Sequence, residues 1–201
     1  MKTFKVDGYT YVKDLLGIVH QLDPEPFEYG ESYISCYDSP EYQKNNTRLQ
    51  EIRWDIVNRY TFGGKILDYG AGRGEFGKHA PKGVEVDNFD VDSPELPWVH
   101  DYGVITMWDV LEHIPDLDKF FEDIWSDFIV VSLPRMPDET LKGWKHLKPN
   151  EHLHHFNGCS LNALFEQFSY RNVYMDFPED EIRKPETDQP NILTAVYQWQ
   201  S

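Results

Sequence analysis

The segment Lys65-Ile66-Leu67-Asp68-Tyr69-Gly70-Ala71-Gly72-Arg73-Gly74 constrains this chain more than any other stretch of it. Two apolar residues run into an acid, and glycine then occupies every second position from Gly70 to Gly74. An apolar strand that breaks into glycines passes to a helix while its main chain approaches a ligand closely, because glycine takes positive φ and carries no side chain. The segment therefore predicts a parallel α/β fold with a binding site at the carboxyl end of this strand.

Two cofactor classes use such a turn. Gly72, Gly74 and Gly77 satisfy the dinucleotide pattern GxGxxG, and Asp90 follows Gly72 by 90 − 72 = 18 positions, near where a ribose-binding acid belongs. On the other side, the turn begins earlier, at Gly70, and Asp68 closes the strand. A carboxylate beside a pyrophosphate is repelled, whereas it suits a ligand with a cationic amino-acid end.

The run ILDYGAGRG resembles the first motif of class I S-adenosylmethionine-dependent methyltransferases, in which an acid ends the first strand and GxGxG follows. In that family a second acid ends the next strand and binds ribose. Gly83 to Asp90 is similar to that segment, with Asp90 in the role and Asp87 as competitor. Tyr102 to Pro115, which contains Leu111-Glu112-His113, is similar to the family's fourth strand and LEH turn. The resemblance spans roughly residues 61–177.

The resemblance implies a three-layer, doubly wound, mostly parallel α/β sheet of Rossmann-like type with an antiparallel last strand. It implies S-adenosyl-L-methionine as cofactor and S-adenosyl-L-homocysteine as product. Asp68, Gly70, Ala71, Gly72 and Gly74 would hold the methionine end, Asp90 with its neighbour Val91 the ribose side, and Trp108 and Asp109 the region near the donor. Asp109 also reads as a helix cap and Trp108 as a core residue. Between Asp90 and the strand at Val104 the chain is too short for the usual helix and third strand, so the family's adenine-binding residues do not carry over.

Methyl transfer from a sulfonium is an in-line displacement that needs alignment and, for a hydroxyl acceptor, removal of a proton. No enzyme nucleophile is required. His113 in the LEH turn and His152 are the candidate catalytic residues. Glu151-His152 followed by His155-Phe156 resembles a segment of sugar C-methylating and ubiquinone-type O-methylating enzymes, where such a histidine lies near the acceptor. His146, His152, His154 and His155 cluster with Glu151, but their spacing matches no standard metal site, and no metal is expected.

With 201 residues and 40% hydrophobic content, the chain is long enough to bury one core. Its formal charge of −16 opposes the phosphate-neutralising surface that nucleic acids require. Cys36 and Cys159 lie far apart, which suggests neither a disulfide framework nor structural zinc. The amino terminus lacks an apolar core of signal-peptide length and no run reaches membrane-span length, so a cytoplasmic protein without a membrane partner is expected.

Residues 1–60 are expected to form a hairpin and helical cap, and residues 61–201 the core. Asp7-Gly8 suits a tight hairpin. Leu15, Leu16, Ile18, Val19 and Leu22 have helical spacing, ended by Pro24. Tyr29, Tyr33 and Tyr37 read as an aromatic stripe or as a lid. A helix from Ser39 should pack on the sheet; Glu75 to His79 leaves room for a short one. The strand ending at Asp90 alternates with acids and belongs near an edge, while Val104 to Met107 and Phe128 to Val131 read as buried strands. Leu117 to Ile124 and Leu161 to Phe168 mark two more helices, and Asn172 to Phe177 with Asn191 to Gln198 a final hairpin. The sum is methyl transfer to a small-molecule acceptor, a hydroxyl of a sugar or metabolite. The alternatives are a non-catalytic methyltransferase-fold scaffold and an NAD(P)-dependent oxidoreductase.

Overall fold

The computed structural model of the chain describes residues 1–27, 40–61, 64–90 and 102–200. Val91 and the tyrosines at 29, 33 and 37 lie outside the described residues. A small sheet holds β1 (Lys2–Val6), β2 (Tyr9–Lys13), β3 (Val19–Gln21) and β8 (His154–His155) in that order, every pair antiparallel. The hairpin between β1 and β2 turns at Asp7 (φ 49) and Gly8 (φ 91), the positive values that the Asp-Gly pair was read for.

The helix expected over residues 15–22 is not formed. Asp14 Oδ1 accepts the Ile18 N–H at 2.8 Å, the Asp14 N–H donates to the Ile18 carbonyl at 3.0 Å, and Gly17 takes φ 87. A local acceptor and a left-handed glycine thus offer this main chain a closed turn in place of a helix. The following residues pair as β3, with Val19 and Gln21 inward, and Leu15 is left exposed.

The large sheet runs β5-β4-β6-β7-β10-β9. Its parallel part is β5 (Val86–Phe89), β4 (Lys65–Tyr69), β6 (Tyr102–Trp108) and β7 (Phe128–Pro134). β10 (Ile192–Trp199) then lies antiparallel to both β7 and β9 (Tyr170–Asp176). β5 is the edge, as its acids predicted, and no described strand lies beyond it.

Alternation of side chains along each strand sends neighbours to opposite faces. Leu67, Ile105, Met107, Ile129, Val131 and Leu133 pack against α3 (Leu117–Asp123) and α4 (Gly158–Gln167). Ile66, Val104, Val130 and Val196 face α1 (Pro40–Val57) and α2 (Glu75–Lys78). The result is a three-layer sandwich. No helix among the described residues is long and apolar enough to cross a membrane.

Candidate active site

Asp68 shares a face of β4 with Ile66 and is 2% exposed. Its Oδ1 accepts a hydrogen bond from the Thr106 hydroxyl on β6 at 2.8 Å. Burial pushes its carboxyl up to about 7, against the opposing pull of that hydrogen bond and of Arg53. A carboxylate so desolvated gains much from a cationic ligand group, which would restore its charged form.

The glycine turn that follows is tied to the end of β5. Gly70 and Ala71 donate their N–H groups to the Phe89 carbonyl at 2.8 and 2.9 Å, and Gly72 donates to Asp90 Oδ2 at 2.6 Å. Gly70 has φ 76, and a Cβ there would stand 2.3 Å from a Val110 methyl, so only glycine fits. Gly72 has φ 53, and among the described residues nothing lies within 4 Å of where a Cβ would be, so on that side these residues leave room for a ligand. An open glycine turn with a buried acid behind it fits the amino-acid end of the expected donor, and Asp90 stands at its rim. Asp87 is engaged elsewhere, accepting from the Tyr102 hydroxyl at 2.7 Å.

Trp108 and Asp109 end β6. The Trp108 ring lies in the core beneath α1, beside Phe76 (centroids 5.3 Å apart) and under the Arg53 guanidinium at 4.6 Å. Asp109 has φ 56, and its N–H donates to the Ser132 carbonyl at 2.7 Å. It is not a helix cap: the one-turn helix Leu111–His113 starts from Val110 with no side-chain cap. Its carboxylate instead accepts both Arg183 NH groups, at 2.7 and 2.9 Å.

That pair belongs to a cluster that closes the carboxyl end of the sheet. Arg53 on α1 donates to Glu179 at 2.8 and 3.2 Å, and Arg183 donates to Glu179 at 3.0 Å. Glu179, in the short helix Pro178–Glu181, is 0% exposed. Burial alone would raise both acids, but Arg183 holds Asp109 below the usual carboxylate range, and Arg53 with Arg183 does the same for Glu179. Two guanidinium and two carboxylate groups thus balance one another, buried at Glu179 and Arg53 and partly open to solvent at Asp109 and Arg183.

The histidines divide into separate groups. His113 and His152 meet edge to face with centroids 4.8 Å apart. His152 Nδ1 lies 2.9 Å from the His146 carbonyl, and burial beside His113 pushes its pKa down to about 2. Burial also lowers His113, against the raising effect of Glu151. His154 instead contacts the Ile114 carbonyl at 2.7 Å and His20 at 2.8 Å, and His155 sits between Tyr11 and Trp144. The cluster seen in sequence is therefore not one centre.

Beyond β7 a cleft of about 280 Å³ opens between the connection after Pro134 and the loop before β10, lined among others by Arg135, Lys142, Trp144, Lys145 and Asn191. Asn191 joins it to the ion cluster: its amide donates to the Arg183 carbonyl at 2.6 Å, and its Oδ1 lies 2.8 Å from His146 Nε2. Arg53, Thr106, Glu179 and Arg183 escaped the sequence reading. The available hints were an arginine inside the packed span of α1 and a glutamate and arginine four apart in a charged loop, and neither names its partner.

A sequence model described as a methyltransferase domain matches residues 42–175, two-thirds of the chain. No curated protein matches the sequence. Among solved structures, the fold is similar to that of an S-adenosylmethionine-dependent methyltransferase from Archaeoglobus fulgidus, at 16% identity over 85% of this chain and 100% of that one, with TM-score 0.57. It is similar to the Burkholderia thailandensis 1,6-didemethyltoxoflavin-N1-methyltransferase, solved with 1,6-didemethyltoxoflavin and S-adenosylhomocysteine, at 13% identity over 100% of both chains and TM-score 0.55. A Leishmania major S-adenosylmethionine-dependent methyltransferase gives 13% identity over 82% of this chain and 77% of that one, with TM-score 0.53.

Proposed function

We propose, for a chain that belongs to the methyltransferase-domain family and is a class I S-adenosylmethionine-dependent methyltransferase, that its acceptor is a small molecule, a hydroxyl-bearing sugar or other metabolite. The cleft of about 280 Å³ at the carboxyl edge of the sheet carries this reading, because it has the scale of a small-molecule site. A formal charge of −16 counts against an RNA acceptor. The family match sets aside the nicotinamide oxidoreductase built on Gly72, Gly74 and Gly77.

When bound, the cofactor supplies an electrophilic methyl group for in-line displacement. Asp68 receives the cationic end of the donor's amino acid, and the glycine turn from Gly70 to Gly74 lets the main chain approach it. Asp90, held by the Gly72 N–H at 2.6 Å, faces the ribose hydroxyls. The ion cluster at Asp109 fixes the wall between donor and acceptor, so Asp109 acts as a positioning residue. His113, with a side chain 22% exposed, is the acceptor-side base, and neutral His152 orients it. Residues 1–27 act as the cap, their sheet joined through β3 and β8 to the connection that lines the cleft, while α1 packs on the large sheet.

The test is calorimetric titration with S-adenosylmethionine, S-adenosylhomocysteine and NADH, followed by transfer of labelled methyl to a panel of hydroxylated metabolites, a basic protein and RNA. One-to-one binding of the sulfur ligands and label in a metabolite is the expected result. Label in RNA or protein with none in the metabolites would overturn the acceptor assignment.

A further inference from the structure

Glu112 is 2% exposed, and among the described residues neither of its carboxylate oxygens has a hydrogen-bond partner. Burial, with Asp109 nearby, raises its carboxyl well above the usual range, against the weaker opposing pull of its own main-chain N–H, Arg183 and Lys148. A buried acid in that condition needs either a proton or a cation. Its neighbours are ligands of the second kind. His113 Nε2 is 3.9 Å from Glu112 Oε1, and one donor atom from each of Glu112, His113 and His152 lies within 4.8 Å of the others.

The surroundings are also arranged as an outer shell would be. His152 Nδ1 donates to the His146 carbonyl at 2.9 Å, which leaves the lone pair on Nε2. His113 shares a hydrogen bond with the Glu151 main chain. Metal-bound imidazoles have their other ring nitrogen held as His152 Nδ1 is here, which fixes tautomer and ring orientation. The Leu153 N–H donates to the Glu112 carbonyl at 2.8 Å, so the LEH turn and the segment carrying His152 are joined directly.

We propose that Glu112, His113 and His152 form a binding site for a divalent transition-metal ion of the zinc class. Two imidazole nitrogens and one carboxylate oxygen suit zinc, cobalt, nickel or iron(II), whereas magnesium and calcium take oxygen ligands. Ligand bonds of about 2.0–2.2 Å require the donors to draw together by roughly 1 Å from their present spacing, within reach of side-chain rotation. Three protein ligands leave a coordination position open, as in catalytic rather than structural zinc sites; with an ion in place His113 would be a ligand, and the acceptor-side base would be an ion-bound water instead of its imidazole. Spacing alone pointed to no metal here, because His152 is remote in sequence from the adjacent Glu112 and His113.

The experiment is titration of the chelator-treated full chain with Co2+, read by visible d–d absorption, and with Zn2+, read by calorimetry, with Mg2+ as control. One Co2+ per chain, displaced by Zn2+ and unaffected by Mg2+, is the expected result. Glu112→Gln and His113→Asn should each weaken binding by more than the ~10–100-fold that loss of an outer-shell partner costs. Silence toward both Co2+ and Zn2+, or undiminished affinity in the variants, would overturn the site. If Glu112→Gln fails to fold, His113→Asn decides, since that side chain is partly exposed. Metal binding is read without donor or acceptor, so its failure leaves the methyl-transfer reading standing.

Discussion

At the glycine turn the residues that matter are consecutive: Asp68, Gly70 and Gly72 lie within five positions, and the next strand contributes the Phe89 carbonyl and Asp90. At Asp109 they come from three places in the chain, with Arg53 on α1, Asp109 after β6, and Glu179 and Arg183 in the loop before β10. The first region is specified by backbone conformation, which a local sequence can demand. The second is specified by charge balance in a desolvated space, which exists only once the sheet has assembled. Losses at the first should therefore show in donor binding whatever they do to stability, and losses at the second in the fold itself.

The sharpest way to break that contrast is Glu179→Gln, which leaves Arg53 and Arg183 short of a buried countercharge. It should cost about 3–5 kcal/mol of stability in chemical denaturation. A loss under about 1 kcal/mol would mean that the cluster behaves as a surface ion pair and that the comparison is mistaken.

Asp68→Asn comes next, and its effect should depend on pH. The folded carboxyl is raised from 3.8 to about 7, so its contribution to stability is fully present below 3.8 and is lost as pH rises through 7. Wild type without ligand should give up on the order of 4 kcal/mol across that window, whereas the asparagine variant keeps the acceptor for Thr106 and lacks the slope. Thermal melts of both proteins between pH 4 and pH 8 check it; parallel curves would remove the assignment. The same variant should weaken S-adenosylmethionine binding, and wild-type binding should release a proton near pH 7.

The two glycines separate packing from ligand access. Gly70→Ala combines a left-handed conformation, ~1–2 kcal/mol, with a Cβ forced against Val110, ~1–3 kcal/mol, so about 3 kcal/mol is expected. Gly72→Ala incurs only the conformational part, about 1 kcal/mol, because none of the described residues stands within 4 Å of its Cβ. Denaturation should rank the two in that order, while calorimetry should show donor affinity falling in both. Gly72→Ala with full donor affinity would show that the open side of the turn faces no ligand.

Much of the fold was legible because its signals are local. Ile66-Leu67 and Phe128 to Val131 are apolar runs that only a buried strand accommodates, and acids alternating with valine placed the strand at Val86 on the edge. Where the reading failed, a local competitor was overlooked: Leu15 to Leu22 has helical spacing, yet Asp14 and Gly17 close a turn and β2 with β8 supplies a sheet edge for β3. The Asp109 cap failed for a longer-range reason, since a carboxylate facing Arg183 gains more than one capping a single helical turn.

By itself the sequence determined the strand-and-glycine turn, the edge position of the strand at Val86 and the acids Asp68, Asp90 and Asp109 at strand ends, because main-chain sterics and hydrophobic alternation act between near neighbours. Tertiary structure alone decided that Asp90 rather than Asp87 turns to the glycines, that His152 joins His113 while His154 joins His20, and that Glu112 is buried with no hydrogen-bond partner among the described residues. These are matters of which distant groups share one desolvated space, and burial there changes both the charge a group carries and the partner it requires.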